Sequence, residues 1–178
     1  MRKRSHYCGH VNKSVVGQTV TLMGWVDSRR DHGSLVFIDL RDREGIIQVV
    51  LDPKKTETSA AKDLRGEFVI AIKGIVRARP DGMVNKKVKT GEVEVEAIEC
   101  EILNEAQTPP FQISDENVGE MLRLKYRYLD LRSPRLQNHL MIPHKVAQLV
   151  RHFLSDNHFI EVETPILFKY KPEGARDY

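Results

Sequence analysis

Glu92-Val93-Glu94-Val95-Glu96-Ala97 alternates a carboxylate with an apolar side chain at every step. Successive side chains of a β-strand point to opposite faces, so Val93, Val95 and Ala97 are assigned to a core and the three glutamates to the outside. Working back from this run, apolar residues recur mostly at every second position in Phe68 to Val76, Ile46 to Leu51, Ser34 to Leu40 and Val20 to Val26. Asp42-Arg43-Glu44-Gly45 falls between the second run and the third and is expected to be a turn. A short helix fits Ser59 to Leu64, before the fourth run.

Three strands, a helix and two more strands is the order of the OB-fold, a five-stranded Greek-key barrel whose second and third strands often face an oligonucleotide. In the second run Val36, Ile38 and Leu40 form the core row, which turns Leu35, Phe37 and Asp39 outward. An outward phenylalanine either packs under a neighbouring segment or offers a face on which a base can stack, a contact typically worth about 1 to 3 kcal/mol. The neighbours favour stacking: Arg29 and Arg30 end the first run, Arg41 and Arg43 flank the turn, and Gln48 falls on the outer row of the third run.

With 40% hydrophobic residues among 178, the chain has the apolar content for a buried core. Lys+Arg of 28 against Asp+Glu of 25 leaves a net charge of +3, which permits a local basic patch without demanding a polyanionic partner. No apolar run approaches membrane-spanning length, and the basic opening is not followed by one, so a cytoplasmic protein is expected. Two cysteines, Cys8 and Cys100, do not make a disulfide framework. His6, Cys8 and His10 would share one face of an extended strand, but no second ligand cluster accompanies them and no metal is expected.

After Leu103 the alternation dissolves, and Pro109-Pro110 cannot continue a ladder, which marks a domain boundary. Glu120 to Arg132 reads as helical. Ser133 and Pro134 then look like N-cap and first residue of a long helix to about Asn157, with Leu136, Leu140, Leu149, Phe153 and Leu154 available to bury. Pro143 lies inside it and predicts a kink or break. Phe159 to Glu163 is expected to be a strand.

Arg127-Tyr128-Leu129-Asp130-Leu131-Arg132 resembles a signature of the class IIb aminoacyl-tRNA synthetases, those for aspartate, asparagine and lysine. Tyr7-Cys8-Gly9, Gly24-Trp25-Val26, Arg29-Arg30-Asp31-His32-Gly33, Phe37-Ile38-Asp39-Leu40-Arg41-Asp42 and Pro172-Glu173-Gly174-Ala175-Arg176-Asp177-Tyr178 narrow the resemblance to the bacterial-type aspartyl enzymes. It covers essentially the whole chain. The fold it implies is mainly β: an OB-fold anticodon-binding domain over residues 1–104, a hinge over 105–133, and the helical start of a class II α+β catalytic domain over 134–178.

The resemblance implies an ATP-dependent ligase that attaches aspartate to tRNA, with Mg2+ on the nucleotide phosphates. It also implies a homodimer in the complete enzyme, built through motif 1 and Pro165, and no membrane or DNA partner. Phe37 would stack on the central anticodon base, Gln48 would bond its edge with Arg30 beside it, and Glu94 would accept from guanine, the first base. Arg77 and Arg79 would contact the anticodon stem-loop, or form a solvated edge. His32 and Gly82 resemble the non-discriminating members, which serve both tRNA-Asp and tRNA-Asn, although His and Gly are also ordinary turn residues. Glu173 matches the glutamate that engages the aspartate ammonium.

Phe168, Tyr170 and Lys171 depart from the small hydroxylic residues usual before that glutamate, and Ile142-Pro143-His144 departs from the usual motif 1 helix. The arginines of motifs 2 and 3 would lie beyond Tyr178, so the 178-residue chain is expected to read the anticodon without aminoacylating and without binding ATP or Mg2+. The alternative is a free-standing tRNA-binding OB module that is not an enzyme. The stretch from Phe159 to Tyr178, which such a module does not need, argues against it.

Overall fold

The structure, a computed structural model, describes residues 3–57 and 63–167. The chain divides into two compact units, one ending at Pro110 and the other beginning at Phe111.

The first unit is a closed five-stranded barrel. Strands β1 (Thr19–His32), β2 (Leu35–Asp42), β3 (Gly45–Leu51), β4 (Val69–Ala78) and β5 (Val93–Asn104) follow one another around it in the order β1-β2-β3-β5-β4, and β4 returns to β1. All neighbours are antiparallel except β3 and β5, which run parallel. The alternation in sequence is realised as expected. Val36, Ile38 and Leu40 from β2 and Val93, Val95 and Ala97 from β5 are buried in one core with Leu22, Ile47, Ile70 and Ile72. Of the helix expected at Ser59 to Leu64, residues 59–62 lie outside the described residues, and Leu64 is buried against the core without regular structure.

Strand β1 is longer than its apolar run. Its first half pairs with β4, from Thr19↔Ile75 to Trp25↔Val69, and its second half pairs with β2, from Trp25↔Arg41 to His32↔Leu35. The change of partner needs two devices. Gly24 passes so close to β2 that a Cβ would stand 2.3 Å from the Arg41 carbonyl oxygen, and the register slips between Val26 and Ser28. The Asp27 carboxylate at this slip accepts from Arg41 Nη1, while Arg41 Nη2 donates to Glu67 Oε1 at 2.6 Å. Arg41 was expected on the outer surface beside the turn; its side chain is instead 10% exposed and joins three segments.

The N-terminal segment turns through two short 3-10 helices, at Cys8–His10 and Lys13–Val15. Asp42 holds the first, its carboxylate accepting from the Cys8 N–H at 2.7 Å and from the Glu44 N–H at 2.8 Å. Burial, with the Asp42 carboxylate second, pushes the Cys8 thiol well above its ordinary range. The tight turn replaces the extended geometry in which His6, Cys8 and His10 would share a face.

In the second unit the helical stretch is interrupted at Tyr126, giving α1 (Glu120–Lys125) and α2 (Arg127–Asp130). Asp130 is buried, its carboxylate 2.7 Å from Arg127 Nη1 and 3.7 Å from Arg123 Nη1. Helix α3 (Pro134–Asp156) starts as expected: Ser133 Oγ accepts from the Leu136 N–H at 3.4 Å and Pro134 takes the first position. One expectation is narrowed here and another fails. The helix is continuous through Pro143, which rules out the break. Of its apolar residues only Leu136 is buried, while Leu140, Leu149, Phe153 and Leu154 are exposed.

Nor is Phe159 to Glu163 a strand. His158 takes φ +67°, the Phe159 N–H bonds the Leu154 carbonyl and the His158 N–H bonds the Ser155 carbonyl, which together make a Schellman stop; the residues beyond it have no regular structure and pair with no strand among the described residues.

The Arg41 contacts can be tested directly. Arg41→Ala leaves Asp27 and Glu67 without their shared cation and should lower the unfolding free energy by about 3 kcal/mol in denaturant titrations. A loss below about 1 kcal/mol would show that water compensates both carboxylates.

Candidate nucleic-acid interface

The β1–β2 hairpin sets the first part of an outward row. Its register pairs Arg30 with Phe37 and Ser28 with Asp39. Arg30 Nη1 and Nη2 donate to the two Asp39 oxygens at 2.8 and 3.0 Å, and Ser28 Oγ donates to Asp39 Oδ2 at 2.6 Å. This fork fixes the guanidinium beside Phe37. Phe37 is half-buried, and among the described residues no cation or second aromatic ring covers it. The row continues from Asp39 to its partner across the next strand, Gln48 on β3.

Closure of the barrel supplies the other part. The parallel pairs Val49↔Val95 and Val50↔Glu96 bring Gln48 beside Glu94 on β5. Gln48 Nε2 donates to Glu94 Oε2 at 2.8 Å. From β4, Arg77 is Cα-paired with Glu94; its Nε donates to Glu94 Oε1 at 3.2 Å and its Nη1 to Glu96 Oε2 at 2.9 Å. Glu94 therefore stands on the outer face, as the alternation requires, yet is only 7% exposed because Gln48 and Arg77 cover it.

Arg79 follows β4 directly and donates through Nε to the Val93 carbonyl at 3.2 Å. Partial burial holds its guanidinium below its ordinary value, opposed by the Glu94 and Asp39 carboxylates and reinforced by Arg30. Those surroundings place Arg79 among the residues of the row. Arg30, Phe37, Gln48, Arg77, Arg79 and Glu94 thus gather on one side of the barrel, from all five strands.

His32 and Gly82 lie at hairpin ends. His32 was expected in the loop after the first strand; it is the last residue of β1, exposed and Cα-paired with Leu35, because cross-strand pairing carries the polar stretch from Asp27 onward as strand. Gly82 sits in the β4–β5 loop with φ +83°, and among the described residues no atom outside Gly82 and its two chain neighbours lies within 4 Å of where its Cβ would be. Pro165 is exposed in the segment after α3, and Glu173, with Phe168, Tyr170 and Lys171, lies outside the described residues.

Two features escaped the reading of the sequence. Asp39, recognised only as an outward residue, is the anchor of Arg30; its position two cross-strand pairs from Arg30↔Phe37, on the same face, was the available signal. Lys86, Lys87 and Lys89 of the β4–β5 loop are exposed and pair with no carboxylate among the described residues, and the run Lys86-Lys87-Val88-Lys89 was visible as a charge cluster. Their loop is ordered by the bonds of Asn85 N–H to Gly91 O at 3.0 Å and of Thr90 Oγ1 to Ile46 O at 2.5 Å.

Comparison with known proteins agrees with the barrel fold. Residues 20–103 match the family described as OB-fold nucleic acid binding domain, and residues 119–178 match tRNA synthetases class II (D, K and N). Aspartate–tRNA(Asp/Asn) ligases of Syntrophotalea carbinolica and Halothermothrix orenii are 59% and 54% identical over 99% of the chain. The chain spans 30% of the length of each. The asparaginyl-tRNA synthetase of Pyrococcus horikoshii, solved with asparaginyl-adenylate, is 26% identical, with a TM-score of 0.80 over 98% of this chain and 39% of its own. An OBody bound to hen egg-white lysozyme, 29% identical with a TM-score of 0.51, covers 60% of this chain and 100% of its own.

The three loop lysines give a quantitative expectation. Replacing Lys86, Lys87 and Lys89 together by alanine should reduce the slope of log K against log salt for an RNA hairpin by about 2, with its base preferences unchanged. An unchanged slope would place those lysines away from the phosphates.

Proposed function

The chain belongs to the class II tRNA synthetases of the D, K and N group, and from that premise we propose that it is the anticodon-reading portion of an aspartate–tRNA ligase that serves both tRNA-Asp and tRNA-Asn. The observation that carries the reading is the continuous outward row from Arg30 and Phe37 through Gln48 to Glu94 and Arg77. It combines a ring face for stacking with donors and acceptors for base edges, which is how single-stranded RNA loops are read. On this reading Phe37 stacks on the central anticodon base, Gln48 bonds its edge, and the Glu94 carboxylate accepts from guanine at the first position. A carboxylate repels phosphate, so its place in an RNA site is to pair with base N–H groups. Arg77 and Arg79 take the stem-loop backbone.

The relaxed choice of tRNA is supported by the names of the two bacterial relatives, both aspartate–tRNA(Asp/Asn) ligases, and by His32 and Gly82 at the rim. In the complete enzyme, a cytoplasmic protein, ATP with Mg2+ on its phosphates activates aspartate. Glu173 is assigned to the aspartate ammonium. None of the residues of the barrel row belongs to that chemistry. Homodimerisation through α3 and the segment to Pro165 accounts for the apolar side chains α3 leaves exposed.

The rival reading, a binding module without catalysis, draws on the OBody, a complete chain of barrel alone. The synthetase match over residues 119–178 favours the ligase.

Binding of tRNA-Asp and tRNA-Asn transcripts at one fixed salt concentration tests the proposal, with equal affinity expected within a few-fold. A preference of about a hundredfold for tRNA-Asp, roughly 2.7 kcal/mol, would sink the relaxed reading. Phe37→Ala should weaken both tRNAs by about 1 to 3 kcal/mol, and unchanged binding would remove the stacking role.

A further inference from the structure

Gln48 is the one side-chain amide in the row, and its orientation is not free. Its Nε2 donates to Glu94 Oε2 at 2.8 Å, while the other Glu94 oxygen accepts from Arg77 Nε at 3.2 Å. A carboxylate held this way offers Gln48 an acceptor and nothing else. An amide has one donating and one accepting end, and its last torsion is broad and two-fold, so an unrestrained glutamine can exchange the two by turning over. Beside Glu94 the turned-over form would set the Gln48 carbonyl oxygen against a carboxylate oxygen at hydrogen-bond distance. Glu94 is only 7% exposed, so water is poorly placed to relieve that contact. The amide is locked with its carbonyl oxygen and one remaining N–H for an outside partner.

We propose that Glu94 is a positioning residue for Gln48, and that by locking the amide it makes the site choose between the two pyrimidines. The inference rests on the reading above, in which Phe37 and Gln48 take the central anticodon base. Uracil and cytosine stack alike, but their edges are inverted. Position 3 donates in uracil and accepts in cytosine; position 4 accepts in uracil and donates in cytosine. A turning amide satisfies both bases on the same stacking platform, whereas a locked one satisfies a single pattern. The genetic code puts uracil at the centre of both the aspartate and the asparagine anticodons, so this is the base the locked amide fits.

Glu94 then serves two adjacent bases by different means. It bonds the edge of the first directly, and it sets the amide that reads the second. Arg77 has a share in this, since its bond to Oε1, braced by Glu96 at 2.9 Å from Nη1, keeps the carboxylate from rotating away from Gln48. Sequence spacing does not show the coupling, because Gln48 and Glu94 are 46 residues apart and meet only through barrel closure.

The test measures binding of anticodon stem-loop hairpins to the full chain, with uracil or cytosine at the central position. Each is made with guanine and again with an abasic site at the first position. The native protein should prefer uracil by about tenfold or more in both contexts, the scale of one discriminating base contact. Glu94→Gln, which can offer Gln48 either a donor or an acceptor, should reduce the preference to about twofold in both contexts. Glu94→Asp keeps the charge but sits one methylene further from Gln48, and should do the same; it carries the test if Glu94→Gln does not fold by its thermal melt.

A preference that survives in the folded variants, or that is lost only with guanine present, overturns the positioning role. In that case Glu94 acts on its own base alone. A native protein that shows no preference for uracil, and whose affinity is unmoved by Phe37→Ala, overturns the site reading itself, a pattern distinct from the first.

Discussion

The barrel depends on one strand answering to two partners. Strand β1 bonds β4 along its first half and β2 along its second, and Trp25 is paired on both sides at the crossover. A fully regular strand could not turn that corner, so the sequence spends a glycine at Gly24, where the Arg41 carbonyl leaves no room for a Cβ, and slips register around Asp27. The slip aims the Asp27 carboxylate at Arg41, which also binds Glu67, and so the irregular corner is tied by charge rather than left loose. Every residue of the outward row takes its place from this corner. It sets Arg30 opposite Phe37, and the direction it gives β2 and β3 brings β3 against β5, where Gln48 meets Glu94.

The electrostatics of that row are unusual for a surface proposed to meet a polyanion. Two of its arginines are already paired, Arg30 with Asp39 and Arg77 with Glu94 and Glu96, and the third, Arg79, donates to the Val93 carbonyl. Bare arginines would bind phosphate wherever it came, which raises affinity for every RNA alike. Pairing them with carboxylates reduces the local field and leaves fixed donors and acceptors, which suit base edges. Lysines with no carboxylate partner among the described residues lie at Lys86, Lys87 and Lys89, on an ordered loop between the strands that carry Arg77 and Glu94. The loop thus adds backbone-holding charge outside the row, while within the row the carboxylates temper the arginines.

Much of this was legible from period-two alternation, because a barrel has one inside and a strand has two faces. Val93, Val95 and Ala97 declared β5, and Val36, Ile38 and Leu40 gave β2 together with the outward turn of Phe37. What alternation could not report was contact across the barrel. Glu94 read as an exposed glutamate, and its burial comes from Gln48 and Arg77 on two other strands. Arg41 read as a surface cation for the same reason. Asp27 to His32 contains no apolar residue, so only the hairpin partner makes it a strand. In the second unit the differences share one cause: among the described residues Phe159 to Glu163 has the composition of a strand but no neighbour to bond, and the large apolar side chains of α3 beyond Leu136 have nothing covering them.

The placement of His32 and Gly82 bears on how a recognition site of this kind relaxes. The residues proposed to read the first two bases stand inside paired strands, tied to one another by ion pairs and hydrogen bonds, and can exclude a base that does not fit. His32 occupies the last pair of a hairpin, beside Gly33 at φ +63°, and Gly82 a turn at φ +83°. Rejection of a near-cognate base requires a group held where it would clash or leave a polar atom unpaired. An exposed residue at a strand end is poorly held, and a glycine has no side chain to present. On the proposed reading, tolerance at the third base needs no loosening of the sheet. The two rim positions also differ from each other in how they could tighten. Space around Gly82 would admit a side chain, but its backbone conformation would not do so without strain. The β-sheet backbone at His32 accepts any side chain, so a larger or more polar replacement there can add exclusion while the readers of the first two bases stay in place.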